Sequence, residues 1–285
     1  MILSRRRHSL CDARLELDRA LSAGVVVRRV AIENAIQDER TTRPLGHGVG
    51  TSLQRVSVVL RGSSRIGLAG VAHSLRPGHF VRGGIEEMVV ESFEGEVVEF
   101  DFAAHAAGVQ QVGVLSARVV ATIARLGEAL RGAEERQVHT AIVSAADALS
   151  REVSPDVAAV APARLAEDRL CAFSRVMDHT LTHLDSSPHT TDIENTLSIS
   201  RRTLTRTSHA FHTRFSMSGI ERKTDWRAIR DLYRSVVGAI LMTNRHVTTE
   251  QASRALGYSS SAAFCHAFER RGLPSPGAIR ALAGA

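Results

Sequence analysis

The sequence predicts an α+β chain of more than one domain: a β-rich N-terminal part, a helical middle and an all-helical C-terminal third. Three observations predict it. Over residues 25–102, short runs of β-branched and aromatic residues (25–30, 56–60 and 97–102) alternate with turn signals. From about Val112 the apolar period lengthens from 2 to about 3.5. Beyond residue 166 the pattern stays helical apart from short polar breaks. The chain has 285 residues, of which 44% are apolar and 23% charged, enough for two domains with a core each.

The β-rich part is punctuated by Pro44, Gly46-His47-Gly48, Gly62-Ser63-Ser64, Arg76-Pro77-Gly78, Gly83-Gly84 and Glu94-Gly95. Many short strands with such punctuation suggest a small sandwich or barrel. The acidic residues Glu86, Glu87, Glu91, Glu94, Glu96, Glu99 and Asp101 form a run without a basic residue. It reads as a solvated strand face, a cation site or a contact for a basic surface. In the middle, Val112, Leu115, Val119, Ile123, Leu126 and Leu130 make one helical stripe, and Val138, Ile142, Leu149 and Val153 another. Such a helix pair covers its own sheet or seals a dimer. Pro155 and Pro162 then mark a stiff linker over 153–163.

The charge is unevenly placed. Residues 186–285 hold 14 of the 36 basic residues but only 7 of the 30 acidic ones, and 35 of the 36 are arginine. Arginine suits forked contacts to phosphate and guanine. Several classes are excluded. No stretch reaches the ~20 apolar residues of a membrane span, and Asp12, Arg14, Glu16, Asp18 and Arg19 interrupt any apolar core of a secretory leader. A cytoplasmic protein is expected. Cys11, Cys171 and Cys265 form no C-x-x-C pair, so buried, inert thiols are expected instead of disulfides or a zinc site.

Two helix-turn-helix signals occupy the last third. In the first, residues 193–197 make a short helix with Thr191 and Asp192 as capping candidates, Ser198-Ile199 the turn, and Ser200 the N-cap of a second helix. On that helix Leu204 turns inward, leaving Arg201, Arg202, Thr205 and His209 outside, with Thr203 and Arg206 beside them. Arginine there can read guanine, while Ser and Thr reach phosphates or base edges. The second unit has a helix over 252–256, a turn at Gly257-Tyr258, a cap region at Ser259-Ser260, and a helix over 261–268. Phe264 and Phe268 share its core face, which leaves Ser260, Ser261, Ala263 and His266 toward DNA and Arg270 near its end.

These residues resemble the AraC/XylS transcription regulators. Residues 177–200, MDHTLTHLDSSPHTTDIENTLSIS, follow that family's first helix and its "H-L-x-x-x-P" turn. SRRTLTR at 200–206 is similar to its first recognition helix, and residues 257–268 with Ser275-Pro276 and Arg280 are similar to its second unit and closing motif. VVLRGSSRIGLAGVAHSLRPGHF at 58–80 resembles a cupin-like sensor. The sequence departs from the pattern at Glu194, Ser208, Ala262, His266, Gly272 and Leu273.

The resemblance implies a cupin-like effector-sensing barrel over 1–107, a helical dimerisation region and linker over 108–165, and a DNA-binding domain over 166–285 with helix 226–242 joining its units. Its partners would be promoter DNA, a second copy of the chain, and RNA polymerase if it is an activator. An unidentified small-molecule effector is implied, with His47, Arg61, His73, Arg76 and His79 as pocket candidates, and no other cofactor. The alternative is a degenerate helix-turn-helix protein that serves as a protein-interaction module. Catalysis is not expected. His47-Gly48-Val49 lacks the paired His of a metal-dependent cupin enzyme, and no G-x-S-x-G is present. His179 and His183, four apart, have helical metal-ligand spacing, but the resemblance gives His183 a structural place.

Overall fold

The computed structural model describes residues 1–22, 24–38, 53–103, 109–157, 168–186, 188–215 and 226–283. The chain forms two compact units. The first comprises Met1–Arg5, Glu16–Ala31 and Val49–Ala166, and the second Arg6–Leu15, Ile32–Gly48 and Glu167–Ala285.

Among the described residues there are eight strands: β1 (Ile2–Leu10), β2 (Ala13–Leu21), β3 (Val25–Gln37), β4 (Leu53–Leu68), β5 (Val71–Leu75), β6 (His79–Gly84), β7 (Met88–Ala103) and β8 (Gln111–Val114). They lie in the order β1-β2-β3-β7-β4-β6-β8, with β5 paired to β4. The expected barrel is seen as a sheet; no pairing of β1 with β8 occurs among the described residues.

The strands are longer than their punctuation suggests. Gly62-Ser63-Ser64 and Glu94-Gly95 are not turns. They face each other inside the antiparallel β4–β7 pair, where the register shifts between Val59 and Arg61. Gly62 and Gly95 both have positive φ, and a Cβ on either would lie 2.1 Å from a carbonyl oxygen of the opposite strand. Glycine there lets two backbones touch at a bulge. The turn at Arg76-Pro77-Gly78 is found between β5 and β6. Pro44 and Gly46-His47-Gly48 lie outside the described residues.

Two helices, α1 (Ala117–Gly132) and α2 (Glu135–Glu152), cover one face of this sheet. Val119, Ile123, Leu126 and Leu130 from α1 join Val138, Ile142, Ala145 and Leu149 from α2 over Val27, Val56, Val58, Val98, Phe100 and Phe102. Val112, expected on the first helix, lies on β8 instead, because Ser116 caps α1 and starts it later. Arg5 donates to the carbonyls of Leu130 (2.7 Å) and Ala133 (2.5 Å), satisfying groups that the end of α1 leaves open. Arg82, buried on β6, pairs with Asp156 at 3.0 Å just beyond α2. Of the expected linker, residues 158–163 lie outside the described residues.

The acidic run is matched by arginines from neighbouring strands. Glu99 and Asp101 meet Arg28 and Arg55, Glu91 meets Arg65, and Glu96 meets Arg29 and Arg61. Burial opposes the charge of Glu96, but hydrogen bonds from Arg29 and Arg61 outweigh it and hold the carboxyl below its usual range. For Asp101 too burial is outweighed, first by the charges of Arg28 and Arg55.

The second unit contains α3 (Asp168–Thr182), α4 (Thr190–Leu197), α5 (Arg201–Phe215), α6 (Trp226–Met242), α7 (Thr249–Ala255), α8 (Ser261–Glu269) and α9 (Pro276–Ala283). Phe173 on α3 meets Phe211 on α5 edge-on at 5.3 Å, tying these two helices together. Cys11 is exposed and Cys171 and Cys265 are half-buried, so the expectation of three buried thiols fails; Cys11 sits at the tip of the β1–β2 hairpin with positive φ. Among the described residues no helix is long and apolar enough to cross a membrane.

Candidate nucleic-acid interface

The first helix-turn-helix consists of α4 and α5. The start of α4 differs from the expectation. His189 is its N-cap, and Asp192, at the third helical position, accepts from the His189 backbone N–H at 2.6 Å. Thr191 and Asp192 therefore lie inside the helix. Ser198 closes α4 in the left-handed region (φ 52°) and turns the chain sharply. Ser200 then caps α5: its Oγ accepts from the Thr203 N–H at 3.3 Å and lies 3.1 Å from the Thr203 Oγ1.

Burial along α5 sorts its side chains cleanly. Leu204, Thr207, Ser208 and Phe211 face inward, while Arg201, Arg202, Thr205, Arg206 and His209 are exposed and Thr203 is half-buried. Among the described residues none of Arg201, Arg202 and Arg206 has a carboxylate partner. The exposed face of α5 thus carries the guanidinium groups of Arg201, Arg202 and Arg206. Thr205 Oγ1 donates back to the Arg201 carbonyl at 3.1 Å.

The second unit consists of α7 and α8. Thr248 and Gln251 form a reciprocal capping box at 3.1 and 2.9 Å. At the turn, Gly257 has φ +70°, and a Cβ there would come within 2.5 Å of the Leu184 carbonyl oxygen. The second turn thus sits directly on the α3–α4 connection. Ser260 caps α8 through the Ala263 N–H at 3.1 Å. Phe264 and Phe268 are fully buried, edge to face at 4.7 Å. Ser259, Ser260, His266 and Arg270 are exposed, and Ser261 and Ala263 half-buried.

Sequence reasoning missed three features. Ala262 is exposed on α8. Glu269 pairs with His266 at 3.2 Å, placing an acid on the outer face of α8. The third is the N-terminal hairpin. Arg6 is buried and donates from Nε to Asp178 on α3 at 2.8 Å, with its guanidinium 5.0 Å from the Tyr233 ring on α6. Asn244, just past α6, donates to Asp12 at 2.9 Å and to the Asn34 carbonyl at 2.6 Å.

No protein-family model and no curated protein matches the chain. Among solved structures it is similar to ToxT of Vibrio cholerae, with 10% identity and TM-score 0.40, over 91% of this chain and 98% of that one. It is also similar to CuxR, with 18% identity and TM-score 0.30, over 68% and 74%. CuxR is an AraC-like transcriptional activator. A third likeness is to a variant of PAC13 from Streptomyces, solved with uridine, with 12% identity and TM-score 0.24, over 39% of this chain and 85% of that one.

Of the residues expected to line an effector pocket, Arg61 and Arg76 are exposed, His73 and His79 half-buried, and His47 outside the described residues. Among the described residues no three His, Cys, Asp or Glu side chains converge as a metal site would require. His183 lies with its Nδ1 2.8 Å from the His179 carbonyl oxygen.

His8, behind Arg6 on β1, lies with its Nε2 3.0 Å from the Tyr233 hydroxyl. Burial, and then the charge of Arg6, push its pKa down from 6.5 to about 4. The folded chain therefore takes up this proton only at lower pH than the unfolded chain does. The stability it confers is complete above about pH 6.5 and is lost as the pH falls toward 4, by at most about 3 kcal/mol. Urea unfolding at pH 7 and pH 5 is expected to show a drop that His8→Gln reduces. Equal drops in both proteins would exclude His8 as the titrating group.

Proposed function

We propose that this chain is a sequence-specific DNA-binding transcription regulator of the AraC/XylS type. One observation supports this most: two capped helix-turn-helix units stand in series, and the first offers Arg201, Arg202 and Arg206 on an exposed face, without a carboxylate partner among the described residues. Exposed guanidinium groups at the N-terminal end of a recognition helix suit base edges in the major groove. In this reading Arg201, Arg202 and Thr205 contact bases, while Ser200, Thr203, Arg206 and His209 lie along the phosphates. Ser259, Ser260, Ser261, Ala263, His266 and Arg270 meet the next groove segment, one helical turn (~34 Å) along the duplex. The β-rich unit takes up a small-molecule effector with different affinity in two states of the regulator, the condition for switching it. The outer face of α1 and α2 pairs with a second copy, RNA polymerase is the further partner of an activator, and the protein acts in the cytoplasm.

The His266–Glu269 pair favours a second reading for the second unit alone. A carboxylate on the outer face of α8 repels phosphate, so this unit is the better candidate for binding another protein.

Fluorescence anisotropy tests the proposal, with a duplex from upstream of the chain's own gene and a scrambled duplex over a salt series. Tighter binding to the native duplex at every salt concentration supports it. Equal affinity for both, with a steep salt dependence, reduces the interaction to phosphate attraction. No binding at low salt favours the protein-interaction module.

A further inference from the structure

The two helix-turn-helix units are held by different helices. Phe173 against Phe211 fastens α5 to α3, while α6 leads through residues 243–248 into α7 and α8. The angle between the recognition helices α5 and α8 therefore depends on how α3 is held against α6. Part of that joint is local. Arg234 on α6 donates to the carbonyls of Leu184 (2.5 Å) and Ser186 (3.0 Å), on the connection after α3. The other part comes from far away in the sequence. Arg6, on the hairpin that belongs to this unit, sits between α3 and α6 with its charge on Asp178 and its plane near Tyr233. The same hairpin and the end of β3 also hold the segment after α6, through Asn244 with Asp12 and Asn34, and Ile36 N–H with Thr243 Oγ1 at 2.7 Å.

We propose that Arg6 is a positioning residue for DNA recognition: it locks α3 against α6, and so fixes the spacing between the DNA segments that the two units contact. This rests on the DNA-binding reading above. The physical reason is directionality. An apolar side chain between two helices tolerates sliding, because burial is not directional. A guanidinium 3% exposed repays its desolvation only while its hydrogen bonds to the carboxylate stay aligned. Tyr233 and Arg234 are adjacent on α6, so the hairpin and the α3–α4 connection grip the same turn of that helix from two sides.

The test uses the full chain. A duplex is selected by the wild type from a randomised pool, its two contacted segments are located by footprinting, and derivatives carry one base pair more or fewer between them. One base pair turns the second segment by about 34° relative to the first. The wild type is expected to bind these derivatives about tenfold or more weakly. Arg6→Met/Asp178→Leu removes both members of the directional pair together. It is expected to bind original and altered duplexes within about threefold of each other, with unchanged helical content. Should that variant unfold, Arg6→Lys, which keeps a charge opposite Asp178 but loses the planar fork, carries the same comparison. A ratio that stays at the wild-type value overturns the inference, whatever happens to overall affinity. A wild-type chain that selects no duplex overturns the DNA-binding reading, and the inference with it.

Discussion

Alanine in place of Arg29 is expected to cost the fold about 3–5 kcal/mol. Arg29 is 1% exposed and holds three carboxylates, with Nη1 2.8 Å from both Glu16 and Asp18 and Nε 2.6 Å from Glu96. Burial works against its charge, yet its bonds to Glu96, Glu16 and Asp18 outweigh that and raise its pKa. Without the guanidinium, Asp18, fully buried, and Glu96, 4% exposed, each lose a charged partner where little water can replace it. Against a typical total of about 5–15 kcal/mol, the loss leaves the β-rich unit near its threshold. Urea unfolding measures it. A loss below about 1 kcal/mol would mean that the cluster is solvated and the burial argument fails.

Alanine at Arg202 is expected to weaken binding to the preferred duplex by about 1–3 kcal/mol, about 5- to 150-fold, and to relax preference at one base pair. The expectation follows from its exposure, its place in the first turn of α5 and its lack of a carboxylate partner among the described residues. Two controls separate reading from attraction. Arg206→Ala should weaken all duplexes alike and lower the salt slope by about 1. Ser200→Ala, which removes the cap on α5, should cost about 1 kcal/mol of stability and leave sequence preference intact. If Arg202→Ala leaves preference unchanged across single-base variants of the duplex, its role in reading bases is excluded.

Much of the helical part was legible. The connecting helix that the resemblance implied over 226–242 is found there. The inward turn of Leu204 followed from the helical period. The N-terminal hairpin was illegible for a definite reason. On β1 the alternation of buried and half-exposed positions is present, but its buried members are Ile2, Ser4 and Arg6. On β2 the buried set includes Asp18 and Arg19. Hydrophobic periodicity cannot register a strand whose inward residues are charged and paired across the fold. The same blindness hid the partners of the acidic run, which come from strands distant in sequence. Gly62 and Gly95 misled for the opposite reason: residues that ordinarily mark turns here mark a crossing of two backbones.

The hairpin also has a consequence for how the chain is made. Residues 6–15 lie in one unit with residues 167–285, and Asp12 meets Asn244 across a separation of 232 positions. At about 5–20 residues per second, a ribosome needs about 10–50 s to deliver the second partner after the first. Through that interval Arg6, Asp12 and the end of β3 have none of their partners from α3, α6 or the segment after α6. The second unit is thus completed only late in synthesis. A fragment beginning at residue 166 would lack the pieces that were made first.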